Sequence, residues 1–594
     1  MEVPATTWKT LVRRGLLSVD EEKAAFHLTS LKPSAPSPAE ERLNEVQRGA
    51  LQRIDGAAMS GEFSVSLLHG VTGSGKTAVY LAAMKRALGR GQGAILLVPE
   101  IGLTPAAAAN LHATFGDEVA ILHSALTRDE RAEQWHRIRK GEARIAVGTR
   151  SAVFAPVQHL ALIVVDEEHD GSYKQEETPR YNGRDVAVMR GKLEGGAVVL
   201  GSATPSLESY RNATKGRYEL IEMRERVETR PLPEVTIVDM RVEFQETGKE
   251  QIFSRRLVEG TKACLARGEQ AIILLNRRGY SSVVLCRACG EHVECANCAI
   301  AMTYHRAPES AQFGRGTGRA EGPRLECHYC GYRERVPSVC PRCGSEHIHF
   351  LGHGSEKVEE MLHGIFPEAR IGRMDRDTVR SREDYERVLA QLHAGEINLL
   401  VGTQMVAKGH DIHGVTLVGV VGADAALGMP DFRAAERTFQ LLTQVSGRAG
   451  RGNAPGEVIL QAYHTEHYAI QFASIHDYRL FADKEMRYRS WMHYPPYAAL
   501  VNLIVRSDKQ QEAMTWTGQL AKWFEEAGHE GIRVLGPSPA PISRLKRDYR
   551  YHFVLKGPSR ERMNGLLRTM LKHAQEMRIP RTSMVVDVDP QSLM

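Results

Sequence analysis

Short apolar runs alternate with helical spacings over most of the chain. Residues 65–68, 94–98, 119–122, 145–147, 160–165 and 197–200 are nearly continuous in apolar side chains and too short for helices. Runs of this kind belong to strands buried on both faces, and the amphipathic stretches between them predict a parallel sheet covered by helices. The same alternation returns at 271–275, 398–401, 417–421 and 457–461, which predicts a second domain of the same build. Beyond about residue 467 helical patterns mix with strands at 500–505 and 551–555, predicting a separate α+β domain. At the other end, 7–17 reads as a short basic amphipathic helix, 32–38 as a proline-dotted linker, and 43–54 as a helix leading into the first sheet.

A chain of 594 residues is too long for one core, in keeping with several domains. Apolar content of 42% and charged content of 25% exclude wholesale disorder. A net charge of +5 is compatible with a polyanionic partner without demanding one. No basic-then-apolar leader opens the chain, and the longest apolar stretch, 415–429, is interrupted by glycines and Asp424. A cytoplasmic protein without a membrane span is expected.

The turn after the first apolar run is Gly70-Val71-Thr72-Gly73-Ser74-Gly75-Lys76-Thr77, followed by a helix start. Its glycines let backbone N–H groups crowd a triphosphate, Lys76 supplies a charge to the outer phosphates, and Thr77 a hydroxyl for Mg²⁺. The run ending Val165-Asp166-Glu167-Glu168-His169 places Asp166 at a strand tip to hold the metal and Glu167 beside it to polarise a water. In Gln444-Val445-Ser446-Gly447-Arg448-Ala449-Gly450-Arg451, Arg448 and Arg451 are spaced to reach the γ phosphate from a second lobe. ATP binding across two lobes, with hydrolysis releasing the cleft, is the expected engine.

Of nine cysteines, eight form C-x-x-C pairs: Cys286/Cys289, Cys295/Cys298, Cys327/Cys330 and Cys340/Cys343. Each pair brings two thiolates to one tetrahedral ion, so the eight imply two closed structural Zn²⁺ sites, with three pairings permitted by spacing. Cys264 is left over and reads as a small buried hydrophobe.

The ordered strings 70–77, 97–105, 148–152, 166–169, 201–205, 402–409 and 444–451, together with the cysteine insertion, resemble the PriA family of superfamily 2 helicases. The resemblance implies an α/β fold of two RecA-like helicase lobes with parallel sheets, an inserted two-zinc Cys-rich module and a C-terminal α+β domain. The expected boundaries are 1–39 for a winged-helix remnant and linker, 40–225 for lobe 1, 226–285 with 351–470 for lobe 2, 286–350 for the cysteine insertion and 471–594 for the C-terminal domain. It further implies a 3′ to 5′ DNA helicase for replication restart, using ATP, Mg²⁺ and two Zn²⁺ per chain. Cys286, Cys289, Cys340 and Cys343 would share one ion, and Cys295, Cys298, Cys327 and Cys330 the other. Gln47 would read adenine. Pro99, Glu100, Thr104, Thr149, Arg150, Arg277, Arg278, Thr403, Gln404 and Lys408 would grip a single strand. Tyr173, Lys174, Arg180, Tyr181 and Arg184 form an aromatic and basic loop resembling the one by which this family couples DNA contact to ATP turnover, a packed interdomain loop being the alternative.

Implied partners are DNA as forks, single strands and D-loops, the primosome proteins PriB and DnaT, single-strand DNA-binding protein and the loader of the replicative helicase, with the chain itself a monomer. The competing readings are a non-enzymatic primosome scaffold, or a repair helicase of the RecG or RecQ type. Relative to the family pattern, 307–323 is an added Gly/Arg-rich connection, and the family's N-terminal 3′-end-binding module is not found in the sequence as given, either because the start is misplaced or because the module is lacking. A chain complete as written is expected to show little preference for forks with an arrested 3′ end.

Overall fold

A computed structural model of the chain describes residues 11–16, 42–99, 105–123, 126–227, 231–248, 251–276, 355–375, 378–379, 382–406, 414–429, 431–450, 452, 454–528 and 531–593. Between 284 and 350 it describes 284–286, 289, 293, 295, 302–305, 324–327, 332–346 and 348–350. Of the helix expected over 7–17, residues 11–13 are helical and 14–16 form a turn, while the remainder and the insertion 307–323 lie outside the described residues.

Seven strands make the first sheet: β1 (Ser64–Gly70), β2 (Gly93–Leu97), β3 (Val119–Leu122), β4 (Ile145–Gly148), β5 (Leu160–Asp166), β6 (Ala197–Ser202) and β7 (Glu219–Met223). All are parallel, in the order β3-β4-β2-β5-β6-β1-β7. One face carries the helices Glu45–Ser60, Lys76–Gly89 and Pro105–Phe115 over a core that includes Leu51, Ile54, Leu68, Val79, Met84 and Val164. Strand β7 was not anticipated, because it lies at the sheet edge and its charged residues interrupt the apolar run.

The second sheet begins with β8 (Glu234–Asp239) and β9 (Gln270–Leu275). The cysteine-rich insertion follows, with β10 (Val284–Cys286) paired to β14 (Ile348–Phe350), and β11 (Thr303–His305), β12 (Arg324–Glu326) and β13 (Arg333–Arg335) in a small antiparallel sheet. Then β15 (Ile371–Met374), β16 (Leu399–Gly402), β17 (Val415–Val421) and β18 (Glu457–Ala462) complete the parallel order β15-β16-β9-β17-β18-β8. The tail contributes β19 (Ala499–Ser507), β20 (Arg533–Leu545), β21 (Asp548–Gly557) and β22 (Met584–Val588), antiparallel in the order β20-β21-β19-β22 with helices Gln510–Glu526 and Arg560–Glu576 against them.

The two lobes do not have independent cores where they face each other. One apolar cluster runs from Leu67, Val165 and Tyr210 of the first lobe to Val418, Phe439 and Leu460 of the second, through Tyr478 and Phe481 of the helix Tyr478–Trp491. Tyr478 presents its ring edge to His69 at 4.9 Å and Tyr210 at 5.1 Å, while its hydroxyl donates to Pro205 O at 2.8 Å. The cysteine module packs elsewhere: Cys295, Met302, Leu325 and Cys327 share a cluster with Phe432, Tyr494 and Val554.

A buried ionic network ties the same three parts. Arg489, wholly buried, donates to Glu485 at 2.7 Å and to Glu436 at 2.9 Å. Glu436 also accepts the Leu207 backbone N–H at 3.1 Å, and Arg433 bridges Glu436 at 3.3 Å and Glu208 at 2.7 Å. Burial alone would raise the Glu208 carboxyl, but the charge and hydrogen bond of Arg433, with Arg184 and Arg489 beyond, hold it at about 2. A depressed carboxyl stabilises the fold fully above its unfolded value and loses that contribution only as pH falls through the folded one, so this tie persists at neutral pH. Breaking a buried pair from one side leaves uncompensated charge. Arg489→Met is expected to lower unfolding free energy by about 3–5 kcal/mol in urea denaturation, with Glu436 and Glu485 left without their shared cation.

Candidate ATPase and DNA-coupling site

The parallel sheets carry the predicted motifs to the carboxyl ends of their strands, where open α/β sheets bind ligands. After β1 the chain turns through Gly70, Val71, Thr72, Gly73, Ser74 and Gly75 into the helix that begins at Lys76. Gly75 has φ +82°, and a Cβ there would lie 2.2 Å from Gln47 Nε2, so both conformation and space demand glycine. Gln47 is buried and braces the loop. Its Nε2 donates to Ser74 O at 3.0 Å, and its Oε1 closes a reciprocal cap with Asn44 at the start of helix Glu45–Ser60. Lys76 folds its ammonium back on Gly70 O at 2.9 Å, whereas Thr77 is exposed at the head of its helix. The Ser74 hydroxyl is buried with no hydrogen-bond partner.

Asp166 closes β5, with β6 between it and β1. Burial first, then the charge of Glu167, push the Asp166 carboxyl up to about 7, with Lys76 pulling the other way. A buried carboxyl that resists ionisation is one a divalent cation would hold ionised, so the acidic pair and the glycine cradle fit a nucleotide bound with Mg²⁺. Glu167 stands at φ +45°, the left-handed region that non-glycine residues enter at a cost of about 1–3 kcal/mol. Its Oε2 is 3.6 Å from His169 Nδ1 and finds no hydrogen-bond partner. The adjacent Glu168 is different in kind. It is buried and accepts from Ser206 N at 2.6 Å, Ser209 Oγ at 2.8 Å, Ser206 Oγ at 3.0 Å and Arg184 Nη1 at 3.1 Å, which makes it a fixed strut.

His169 joins the lobes. Its Nδ1 is 2.7 Å from Ser202 Oγ, and its Nε2 is 3.0 Å from Gln444 Nε2. With the Gln444 amide donating, Nε2 accepts and the ring proton sits on Nδ1. Next to Gln444, Gly447 seats its backbone on the phosphate loop: a Cβ there would lie 2.7 Å from Thr72 Cγ2, and Arg226 Nη2 is 3.5 Å from Gly447 O. The segment bearing Arg448 therefore meets the loop bearing Lys76. Arg448 is partly buried, and its charge reaches the Tyr385 phenol; Arg451 lies outside the described residues.

The loop after Glu168 is packed at Tyr173 and Lys174, while 176–179 are exposed. Tyr173 is 1% exposed and its hydroxyl donates to Asp166 O at 2.6 Å, while Arg150 Nη1 donates to the carbonyls of Ser172 and Lys174 at 3.1 and 2.8 Å. Arg150, expected on DNA phosphates, fixes this loop. Tyr181 sits at its edge against Phe154, with ring centroids 5.2 Å apart. Pro99, Thr149, Thr403 and Gln404 follow strand ends as expected, whereas Glu100, Thr104, Arg277, Arg278 and Lys408 lie outside the described residues. Tyr80 was missed from the sequence. Its phenol lies beside Asp166 beneath Gly201, where a Cβ would be 1.5 Å from its oxygen.

In the insertion, the sulfurs of Cys286, Cys289, Cys340 and Cys343 all lie within 4.8 Å of one another, with Cys286–Cys343 and Cys289–Cys340 each at 3.6 Å. Four converging thiols of this kind fit a tetrahedral zinc ion. Cys295 and Cys327 are both buried in the neighbouring apolar cluster; their pair mates Cys298 and Cys330 lie outside the described residues.

Residues 44–213 match the DEAD/DEAH box helicase family, 347–453 the helicase conserved C-terminal domain, and 491–591 the primosomal protein N C-terminal domain. The replication restart protein PriA of Bacillus subtilis is 44% identical over 597 residues, covering 100% of this chain and 72% of that protein. The chain belongs to the PriA family. The PriA of Synechocystis is 41% identical, covering 99% of this chain and 69% of its own length, and that of Haemophilus influenzae 37%, covering 89% and 70%. The chain is thus an ATP-dependent DNA helicase of replication restart. No helix among the described residues is long and apolar enough to cross a membrane.

Replacing Cys340 and Cys343 together by serine is expected to lower zinc content by one ion per chain in elemental analysis, because two thiolates cannot hold a closed structural site.

Proposed function

We propose that this chain unwinds DNA in the 3′ to 5′ direction at stalled or branched forks, D-loops included, and begins primosome assembly there as a cytoplasmic monomer. The observation that carries the motor part of this reading is the seam between the lobes, with Gln444 on His169 and Gly447 on Thr72. Residues 70–77 would enclose the phosphates with their backbone N–H groups, and Gln47, whose amide already braces Ser74, would turn its remaining N–H toward the adenine. Mg²⁺, when bound, supplies positive charge against the phosphates, held through Asp166 and Thr77. Glu167 would orient and polarise the attacking water, with His169 keeping its carboxylate in place. Arg448 and Arg451 would stabilise charge as it develops on the γ phosphate.

Departure of the cleaved phosphate after hydrolysis would remove what Arg448 and Arg451 hold and free the seam to open, while Thr149, Thr403 and Gln404 alternate their hold on the strand. The division used is 1–39, lobe 1 at 40–225, lobe 2 at 226–285 with 351–470, a two-zinc module at 286–350 and a C-terminal domain at 471–594. In that module Cys295, Cys298, Cys327 and Cys330 would hold the second ion. PriB, DnaT, single-strand DNA-binding protein and a helicase loader are the partners this reading requires.

Lys76→Ala is expected to abolish DNA-stimulated ATP hydrolysis, and Glu167→Gln to lower kcat by about 10²-fold or more while ATP binding persists. Rates equal to the parent chain in a coupled ATPase assay would leave the scaffold reading standing. Strand polarity is read directly by unwinding substrates with a single-stranded tail on one side only, where turnover on the 5′-tailed substrate alone would reverse the assignment.

A further inference from the structure

The loop behind the catalytic acids is held from outside both lobes. Lys174, 7% exposed, donates its ammonium to Val588 O at 2.8 Å and lies 3.4 Å from Asp589 O. Asp587 Oδ1 is 2.8 Å from the same ammonium, close enough for an ion pair but outside the line of a directed hydrogen bond. Asp587 Oδ2 faces Arg180 Nη1 at 3.8 Å, and Arg180 Nε is buried with no hydrogen-bond partner. Lys174 and Arg180 thus converge on one carboxylate of β22.

Two observations show what this seam would accept. The first is crowding of positive charge: Arg506 of β19 and Arg550 of β21 stand directly opposite each other in the sheet, burial and then the charges of Arg506 and Arg180 lower the affinity of the Arg550 guanidinium for its proton, and among the described residues Arg506 has only Asp548, at 3.5 Å, as an ion-pair partner. Arg180, whose charge reaches Arg550, is also the residue that shares Asp587 with Lys174. The second is a short covalent path inward. Lys174 directly follows Tyr173, whose hydroxyl holds the Asp166 carbonyl at 2.6 Å, and Arg150 clamps the carbonyls on either side of Tyr173. The backbone segment that carries Lys174 is thus the one that fixes Tyr173 against Asp166.

We propose that Asp587 is a positioning residue of the ATPase, holding Lys174 and Arg180 in the seam between the first lobe and the C-terminal sheet until phosphates of a DNA strand, received also by Arg506 and Arg550, take them over. The carboxylate and a phosphate compete for the same cations, so DNA entry exchanges one ion pair for another and shifts the Tyr173 contact to Asp166. Asp587 acts through the loop, by way of Lys174 and Arg180. The inference rests on the DNA-dependent ATPase described above.

Steady-state ATP hydrolysis by the full chain, measured without DNA and across a titration of single-stranded oligonucleotide, tests it. Asp587→Asn is expected to raise DNA-free kcat by about fivefold or more and to lower the DNA concentration giving half-maximal stimulation, leaving the DNA-saturated rate within about twofold of the parent. Asp587→Glu, which restores the charge, is expected to return DNA-free turnover toward the parent value. Lys174→Met removes the same tie from the other side and separates the parameters: DNA-free kcat rises while half-maximal stimulation needs more DNA. It decides the matter if Asp587→Asn does not fold. DNA-free turnover unchanged or reduced in a folded variant that still responds to DNA would overturn the assignment. A parent chain whose ATPase ignores DNA would overturn the functional reading beneath it.

Discussion

Glu436 is the group on which the working geometry of this protein depends. One of its oxygens accepts a backbone N–H from the first lobe, and the other meets Arg433 of its own lobe and Arg489 of the helix that leads to the C-terminal domain. Carboxylates buried this deeply are tolerable only with full partnership, so the three parts must come together at once. The apolar cluster through Tyr478, Phe439 and Phe481 supplies most of the adhesion at this junction, since it is non-directional and scales with buried area. The ionic network supplies the register, because its bonds are directional.

That register is what makes the catalytic seam possible. Helix Ala434–Ser446 carries Glu436 near its start and Gln444 near its end, so fixing the first against Leu207 delivers the second to His169. Gly447 ends the helix against Thr72, with space for no side chain. Closing and opening of this cleft therefore has to stretch or remake contacts on one rigid helix. The contrast between Glu167 and Glu168 follows the same logic. The first stands in the left-handed region and leaves its buried Oε2 without a hydrogen-bond partner, while the second is saturated by Arg184, Ser206 and Ser209 and binds the loop to lobe 1.

The C-terminal domain belongs to this machinery as well. Its last strand reaches Lys174 and Arg180, its sheet packs with the cysteine module around Phe432 and Tyr494, and Gln591 O accepts from Arg437 on the same helix that carries Gln444. A segment that touches the loop behind Asp166, the second lobe and the zinc-fitting module is placed to relay events among them.

The sequence by itself determined the strands buried on both faces, because uninterrupted apolar runs such as Leu160–Asp166 have no other stable home. It also determined the phosphate loop, the acidic strand tip and the cysteine pairs, since each needs particular residue types at short, fixed spacing. In the two parallel sheets the unanticipated strands, β7, β8 and β15, are all edges, where exposure on one side admits charged residues and erases the apolar signature. Only the tertiary structure decided which residues of the loop 170–184 face inward, which of two adjacent glutamates is a strut, and that Gln47 braces Ser74. The physical reason is one of distance along the chain. Pairs such as His169 with Gln444, Lys174 with Asp587 and Leu207 with Glu436 join positions hundreds of residues apart, and no local pattern encodes a partner that only the packed fold brings within hydrogen-bonding range.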